Sequence, residues 1–298
     1  MTKLKPDISL ILCTYGRTKE VEDFIQHATK FTIQNFEIII ADQNEDDRIT
    51  KILNQYNNLN FSIKHLHTQK GLSRSRNQSL PHAEGNIVAF PDDDCIYAPD
   101  TLEKVIMFFN NHLDFQILIA KWANTSKEGY QPHADKTSHS VTNFKEIFSF
   151  MSSEIFIRNS FVEKIGNFDE QIGLGSGTIF KGGEDYDFLL RALNKNLKIY
   201  YSADILIYHP WKGIDKNSSE QRIKNYWNDL IYAGASDFYV LKKNIKTLPL
   251  LKIILNNILA SFYYLLIFNK IQFKNHLCRI KGFWLGFKYL SCNQKKAK

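Results

Sequence analysis

Gly85-Asn86-Ile87-Val88-Ala89-Phe90-Pro91-Asp92-Asp93-Asp94 is an apolar run that stops at three consecutive carboxylates, and no other stretch constrains the fold as much. Ile87 to Phe90 are apolar without alternation, the pattern of a parallel strand covered on both faces, and Pro91 removes a ladder donor where the strand must end. The carboxylates then lie at a strand's C-terminal end, the edge at which open α/β sheets bind ligands. Three clustered acids without an adjacent Lys or Arg repel one another unless a cation holds them. Such an oxygen-rich site suits Mg²⁺ or Mn²⁺ shared with substrate phosphates. Taken alone, the triplet is better explained as a solvated turn capping a helix near Pro99; its place after a buried strand favours the functional role.

The same arrangement recurs upstream. Residues 8–13 predict a first strand, followed by Thr14-Tyr15-Gly16-Arg17 and a polar helix over about 18–29. Residues 36–41 predict a second strand ending at Asp42, with 43–47 opening the next helix. A third strand covers 61–66, and a helix starts at Gly71 and stops before Pro81. Strand and helix alternating at short spacing predict a parallel sheet with right-handed crossovers. Thr14, Arg17, Asp42 and Asp92 to Asp94 all reach one edge, which suggests a nucleotide pocket. No GxxxxGK[ST] loop is present, and Gly173-Leu174-Gly175-Ser176-Gly177, which superficially matches a dinucleotide fingerprint, follows no buried strand and is expected to be a flexible loop.

Further along, a helix over 100–110 and a strand over 115–120 are expected, then a polar loop over 124–140 that carries specificity. A strand over 154–158 and a short helix over 160–165 closed by Gly166 follow. Gly182-Gly183-Glu184-Asp185-Tyr186-Asp187 starts another helix. Acids suit a helix N-terminus, and Asp187 with Arg191 is an i,i+4 pair, yet two glycines before two carboxylates also leave room for a general base. Strands over 198–201 and 205–208 lead to His209-Pro210-Trp211. A lone His is more often structural, but at a strand end it can face the same cation.

Composition matters mainly through its division along the 298 residues. Asp237 is the last acid; twelve Lys or Arg follow it, leaving 26 basic against 31 acidic residues up to that point, so the basic character belongs to the tail. An acidic body with no nucleic-acid motif argues against a nucleic-acid partner. Cys13, Cys95, Cys278 and Cys292 form no CxxC pair, so neither a zinc site nor a disulfide framework is expected, and a cytoplasmic setting without a signal peptide is. Residues 253–268 carry no charge but include Asn256, Asn257 and Ser261. The seventeen residues between Lys252 and Lys270 sit at the lower limit for a membrane span, roughly 17–25, so spanning is not favoured. Residues 271–290 have the pattern of a basic amphipathic helix, whose Phe273, Leu277, Phe283 and Phe287 would lie in an anionic membrane interface.

In their order, Ser9 to Arg17, the strand ending at Asp42, Gly71 to Asn77, Asp92-Asp93-Asp94, Gly183-Glu184-Asp185 and His209 resemble the nucleotide-sugar glycosyltransferases of bacterial family 2. The resemblance spans about residues 7–211. It implies the α/β GT-A fold, a Rossmann-like, mainly parallel sheet with helices on both faces, here followed by an amphipathic helical tail. Residues 1–237 would be the catalytic domain, its nucleotide half about 7–121 and its acceptor half about 122–237, with 238–298 a tail for membrane association. Thr14, Tyr15, Arg17 and Asp42 would hold the nucleoside, Arg76 would orient the phosphate or the aspartates, and Asp92 and Asp93 would lie by the nucleotide. Asp94 and His209 would bind Mn²⁺ or Mg²⁺, Glu184 the acceptor, and Asp185 would be the general base, with Glu184 and Asp187 as rivals. The implied reaction is inverting transfer from a UDP-sugar to a glycan or lipid-linked acceptor, at the inner face of the cytoplasmic membrane and peripheral to it. A nucleotidyltransferase on a similar scaffold, or a non-catalytic assembly component, is the alternative.

Overall fold

The computed structural model describes residues 5–125, 137–210, 218–245 and 247–296. Positions 126–136 of the expected specificity loop, Trp211 and Lys246 lie outside the described residues. The first half alternates as expected: β1 (Ile8–Thr14), α1 (Lys19–Ala28), β2 (Phe36–Asp42), α2 (Arg48–Leu53), β3 (Ser62–His67), α3 (Leu72–Ser79) and β4 (Ile87–Ala89). Then come β5 (Ile96–Tyr97), α4 (Thr101–Asn111), β6 (Ile117–Asn124), β7 (His139–Val141), α5 (Phe144–Ile147), β8 (Ile155–Arg158) and α6 (Val162–Ile165). The last elements are α7 (Glu184–Asn194), β9 (Ile199–His209), α8 (Glu220–Asn244), α9 (Thr247–Leu266) and α10 (Lys270–Lys296).

Apart from Ser9 and Glu37, the bodies of β1 and β2 are apolar without alternation because both faces are covered: Leu10, Ile11, Leu12, Ile38, Ile39 and Ile40 are all withdrawn from water. α1 turns Val21, Phe24, Ile25 and Ala28 onto the sheet at i, i+3, i+4 and i+7. Burying Val21, Phe24 and Ile25 stabilises the fold by about 1.5–3 kcal/mol each, and the Ala28 methyl by less. The strand order is β3-β2-β1-β4-β8-β6-β9-β5, with β7 also on β9. β3, β2, β1 and β4 are parallel, β8 is antiparallel to both β4 and β6, and β9 is parallel to β6. Two antiparallel steps through β8 restore direction. The C-terminal ends of β1, β2, β4, β6 and β9 therefore share one edge.

Gly85 seats β4 against β1. A Cβ there would lie 2.5 Å from the Ser9 nitrogen and 2.7 Å from the Ile8 carbonyl carbon, closer than real atoms approach. Its N–H donates to Ser9 Oγ (2.8 Å), which donates to Glu37 Oε1 (2.6 Å), and Lys64 Nζ lies 2.8 Å from Glu37 Oε2. This buried carboxylate ties β1, β2 and β3 to the approach to β4, and the apolar pattern gives no sign of it.

Four expectations change. The strands over 198–201 and 205–208 are one strand, β9, whose register against β6 jumps from Ile119↔Tyr201 to Lys121↔Leu206. The bulge puts exposed Asp204 in the middle, which interrupts the apolar pattern. The expected loop over 124–140 begins on the last residue of β6 and ends inside β7. The glycine-rich stretch 173–177, expected to be a flexible loop, is a loop tied by hydrogen bonds at its flanks, Gly173 N–H to the Phe180 carbonyl (3.0 Å) and Thr178 Oγ1 to the Gln171 carbonyl (2.7 Å). Fourth, the α10 face expected in a membrane partly packs inward: Phe283 is buried, with Phe238 of α8 6.1 Å away between ring centres.

The chain forms two compact units, Met1–Phe168 with Phe188–Trp211, and Asp169–Asp187 with Lys212–Lys298. The expected boundary at 237 falls inside the continuous helix α8. In the second unit, α8 and α10 cross at Gly234, Gly282 and Gly286. A Cβ on Gly282 would lie 2.3 Å from the Ile231 carbonyl oxygen, so only glycine allows the crossing. Lys243 of α8 joins Asp169 (2.6 Å) and Asp187 (3.0 Å), which fastens the 169–187 segment to that helix.

Candidate functional site

The shared strand edge gathers the first unit's polar residues. Pro91 ends the ladder, but the chain stays close to β1, with an isolated parallel bridge between Cys13 and Asp92. That approach sets the triplet against the end of β1. Asp93 Oδ1 lies 2.5 Å from Arg17 Nη1, and Asp93 Oδ2 accepts from Thr14 Oγ1 (2.9 Å). The same Arg17 nitrogen is 3.1 Å from Asp94 Oδ2. From the far side, His209 at the end of β9 brings Nε2 to 3.1 Å from Asp94 Oδ1 and 3.5 Å from Asp92 Oδ2. Asp93 and His209 are buried, so a solvated turn does not describe the triplet. The positive charge that the local sequence lacks arrives through folding, from Arg17 and His209.

Ionisation follows these contacts. Burial pushes the Asp93 carboxyl up, more than Arg17 and Thr14 pull it down. Burial pulls the Arg17 guanidinium down, but Asp93 and Asp94 outweigh it and hold the group above its ordinary value. Burial also pulls the His209 imidazole down, yet hydrogen bonds to Asp92 and Asp94 raise it to about 9. Near neutrality an imidazolium thus sits between two carboxylates, in the position of a cation. One donor atom each from Asp92, Asp94 and His209 lies within 4.8 Å of the others, and this hard, oxygen-rich set with one imidazole fits Mn²⁺ or Mg²⁺.

Behind the triplet, Arg76 of α3 is buried, with its guanidinium near the rings of Phe90 (5.7 Å) and Phe168 (5.3 Å). Its Nη2 donates to Ser152 Oγ (2.7 Å) and lies 3.8 Å from Asp92 Oδ1. On the other flank, Asp42 is fully buried at the end of β2. Its Oδ1 accepts from the N–H (2.9 Å) and Nδ2 (2.7 Å) of Asn44, whose own Oδ1 accepts from Gly16 N–H (2.7 Å). His65 Nε2 lies 2.9 Å from Asp42 Oδ2 and His67 Nδ1 3.8 Å. Tyr15 is exposed, with Lys70 Nζ 5.1 Å from its ring centre.

Thr14, Tyr15, Arg17, Asp42, Arg76, Asp92, Asp93, Asp94 and His209 therefore all belong to the first unit, on or behind one edge. Glu184 and Asp185 belong to the second unit, in the first turn of α7, where Asp185 Oδ1 accepts from the Tyr186 N–H (2.9 Å). Asp187 accepts from Asn244 Nδ2 (2.8 Å) as well as meeting Lys243, partners that the i,i+4 spacing did not suggest. Asn44, His65 and His67 went unremarked in the sequence. The i,i+2 spacing of the histidines on the strand beside Asp42 was the available signal.

A parallel half sheet continued through an antiparallel strand into a second parallel pair, with carboxylates at the shared edge, is the arrangement of the GT-A fold. The glycosyl transferase family 2 model matches residues 9–166, and the chain belongs to that family. It is 26% identical over 245 residues to the poly(ribitol-phosphate) β-N-acetylglucosaminyltransferase TarS of Staphylococcus aureus (strain MW2), covering 80% of this chain and 39% of that protein. It is 32% identical over 110 residues to the putative teichuronic acid biosynthesis glycosyltransferase TuaG of Bacillus subtilis (strain 168), covering 36% of this chain and 44% of that protein. The chain thus spans under half the length of either relative. Among solved structures, TarS 1-349 of S. aureus in complex with UDP-GlcNAc matches with TM-score 0.57 at 21% identity, over 86% of this chain and 71% of that one. The mannosyltransferase PcManGT of Pyrobaculum calidifontis, in complex with GDP-Man and Mn²⁺, matches with TM-score 0.58 at 14% identity, over 99% and 81%. These structural likenesses speak for the fold.

Proposed function

We propose that the protein is a metal-dependent, inverting glycosyltransferase that moves a sugar from a UDP-sugar to a hydroxyl of a glycan or lipid-linked acceptor of a bacterial surface polysaccharide. The observation that carries this is the convergence of Asp92, Asp94 and His209, from two strands far apart in sequence, beside the buried Asp42. The polymers named for TarS and TuaG support the polymer class, and the TarS complex with UDP-GlcNAc supports the nucleotide.

Asp42, buried and held by Asn44 and His65, is the proposed acceptor on the nucleoside side of the edge, and exposed Tyr15 offers a stacking face. Asp94 and His209 would hold Mn²⁺ or Mg²⁺, with Asp92 and Asp93 beside the nucleotide. When bound, the ion offsets the charge that develops on the departing diphosphate. Arg17 keeps Asp93 and Asp94 apart from one another's repulsion, and Arg76 fixes Asp92 from behind. Asp185 is the proposed base for the acceptor hydroxyl, with Glu184 toward the acceptor; a single base and no covalent intermediate give inversion. The enzyme would act at the inner face of the cytoplasmic membrane, attached peripherally through its basic tail.

The test is a binding and turnover screen of the purified chain against nucleotide sugars with Mn²⁺ or Mg²⁺, comparing wild type, Asp94→Ala and Asp185→Asn. One donor binds only with metal, Asp94→Ala loses that binding, and Asp185→Asn binds without turnover. Release of pyrophosphate instead of nucleoside diphosphate would make it a nucleotidyltransferase, and tight binding without turnover on any acceptor a non-catalytic component. If no donor binds, the proposal fails.

A further inference from the structure

α9 is inside out for a helix in water. Leu251, Leu255, Leu259, Phe262 and Leu266 recur at i, i+4, i+8, i+11 and i+15, one face of a helix, and each is more than half exposed. On the opposite face Asn257 and Ser261 are only 8% and 7% exposed. Asn257 Oδ1 lies 3.0 Å from His276 Nδ1 of α10, and the His276 ring stacks on Tyr264 of α9 with centres 5.5 Å apart. The polar side is therefore the side packed on α10. The apolar surface continues past the helix end through exposed Ile267, Phe268 and Ile271. A continuous exposed patch of this kind marks an interaction surface.

We infer that α9 docks in the plane of an anionic bilayer, its leucine stripe among the acyl chains of one leaflet. This rests on the membrane attachment in the proposed function and specifies its mode. Charge selects the occupant. Every charged residue after Asp237 is basic, so the same face of a second copy would bring like charges together, whereas anionic headgroups oppose them. Packing selects the orientation. Pro249–Leu266 is long and apolar enough to cross a membrane, but its polar face is joined to α10, which exposes Lys270, Lys274, Arg279, Lys281 and Lys288. A spanning α9 would have to part from α10 or carry those cations into hydrocarbon. Lying flat keeps the α9–α10 contact and leaves the cations at headgroup level.

The experiment is co-sedimentation of the full chain with vesicles of phosphatidylglycerol and phosphatidylcholine, and of phosphatidylcholine alone, for wild type, Leu255→Glu/Leu259→Glu and the milder Leu255→Ser/Leu259→Ser. Circular dichroism and melting check each fold. Wild type binds the anionic vesicles about tenfold more tightly than neutral ones, and the glutamate pair loses about tenfold. An alkaline carbonate wash releases the protein. Retention after that wash, equal binding by the glutamate pair, or a dimer broken by the pair with no vesicle binding would each overturn the inference. Donor binding on the same preparation separates the readings. Intact donor binding without vesicle binding refutes the docking alone, and vesicle binding without any donor refutes the proposed chemistry alone.

Discussion

The strand edge of the first unit and helix α9 of the second both withdraw polar side chains from water, with opposite results. At the edge, Asp42, Asp93, Arg76 and His209 are charged or chargeable, and each meets a partner over an apolar sheet. In α9 the buried groups are neutral, and burying them turns leucines outward. The difference lies in what a lost partner costs. Stripping one partner from a buried charge costs several kcal/mol, whereas a neutral buried hydrogen bond is worth about 1 kcal/mol net. The edge is therefore locked in composition, while α9 is locked only in which way it faces.

The largest effect on the helical side falls where α9's backing is fixed. Gly282→Leu drives a side chain into the Ile231 carbonyl and forces α10 away from α8. A loss of about 3 kcal/mol or more is expected in urea unfolding followed by tryptophan fluorescence. Metal-dependent donor binding by the protein that remains folded should be unchanged; a parallel loss would mean that the two regions are coupled.

Next is His209, which probes the edge through pH. Its folded pKa, raised to about 9, lies above the ordinary 6.5, so the imidazolium stabilises the fold fully below pH 6.5, and the gain is lost as pH rises toward about 9. In metal-free buffer the loss amounts to up to about 3 kcal/mol. His209→Asn should flatten the stability profile between pH 6.5 and 9. An unchanged slope in the variant would mean that the carboxylates do not hold that proton. Bound metal must displace the same proton, so apparent Mn²⁺ affinity should rise about tenfold per pH unit below about 9.

Asn257→Leu tests the neutral side. It removes the hydrogen bond to His276 but fills the same helix contact with an apolar side chain, and unfolding should shift by about 1 kcal/mol or less. A loss as large as that of Gly282→Leu would place α9's inner face in the same class as the aspartate edge.

How far the sequence foretold these regions follows from what each depends on. The edge was legible because Ile8 to Leu12, Phe36 to Ala41 and Ile87 to Phe90 are short, mainly apolar runs, broken only by Ser9 and Glu37, that end in polar residues, and local pattern suffices for buried parallel strands. The pairing of Arg17 with Asp93 was not, since it joins residues 76 apart through the approach of two strand ends. β9 was split by its bulge, and β5 has only two residues. In the tail, the charge-free run 253–268 overlaps α9 but misses its start, since the helix begins at Thr247 and takes in Lys252. The direction it faces depends on α10, and the Gly282 and Gly286 spacing that fixes α10 against α8 was hidden within an amphipathic pattern that pointed to a membrane.

The smallest expected effect lies at the rim of the edge. Tyr15 is more than half exposed, and Lys70 stands 5.1 Å from its ring centre with Glu45 3.0 Å from the lysine nitrogen. A cation over an exposed ring contributes about 0.5–1 kcal/mol, enough to bias the ring's position without fixing it. Lys70→Ala should therefore weaken UDP binding about two- to fivefold in calorimetry, with turnover at saturating donor unchanged. Tyr15→Phe, which keeps the face and loses only the hydroxyl, should bind as wild type, and Tyr15→Ala more weakly than Lys70→Ala. If Tyr15→Phe instead fell as far as Tyr15→Ala, the hydroxyl and not the ring face would be the contact, and the rim would belong with the hydrogen-bonded network around Asp42.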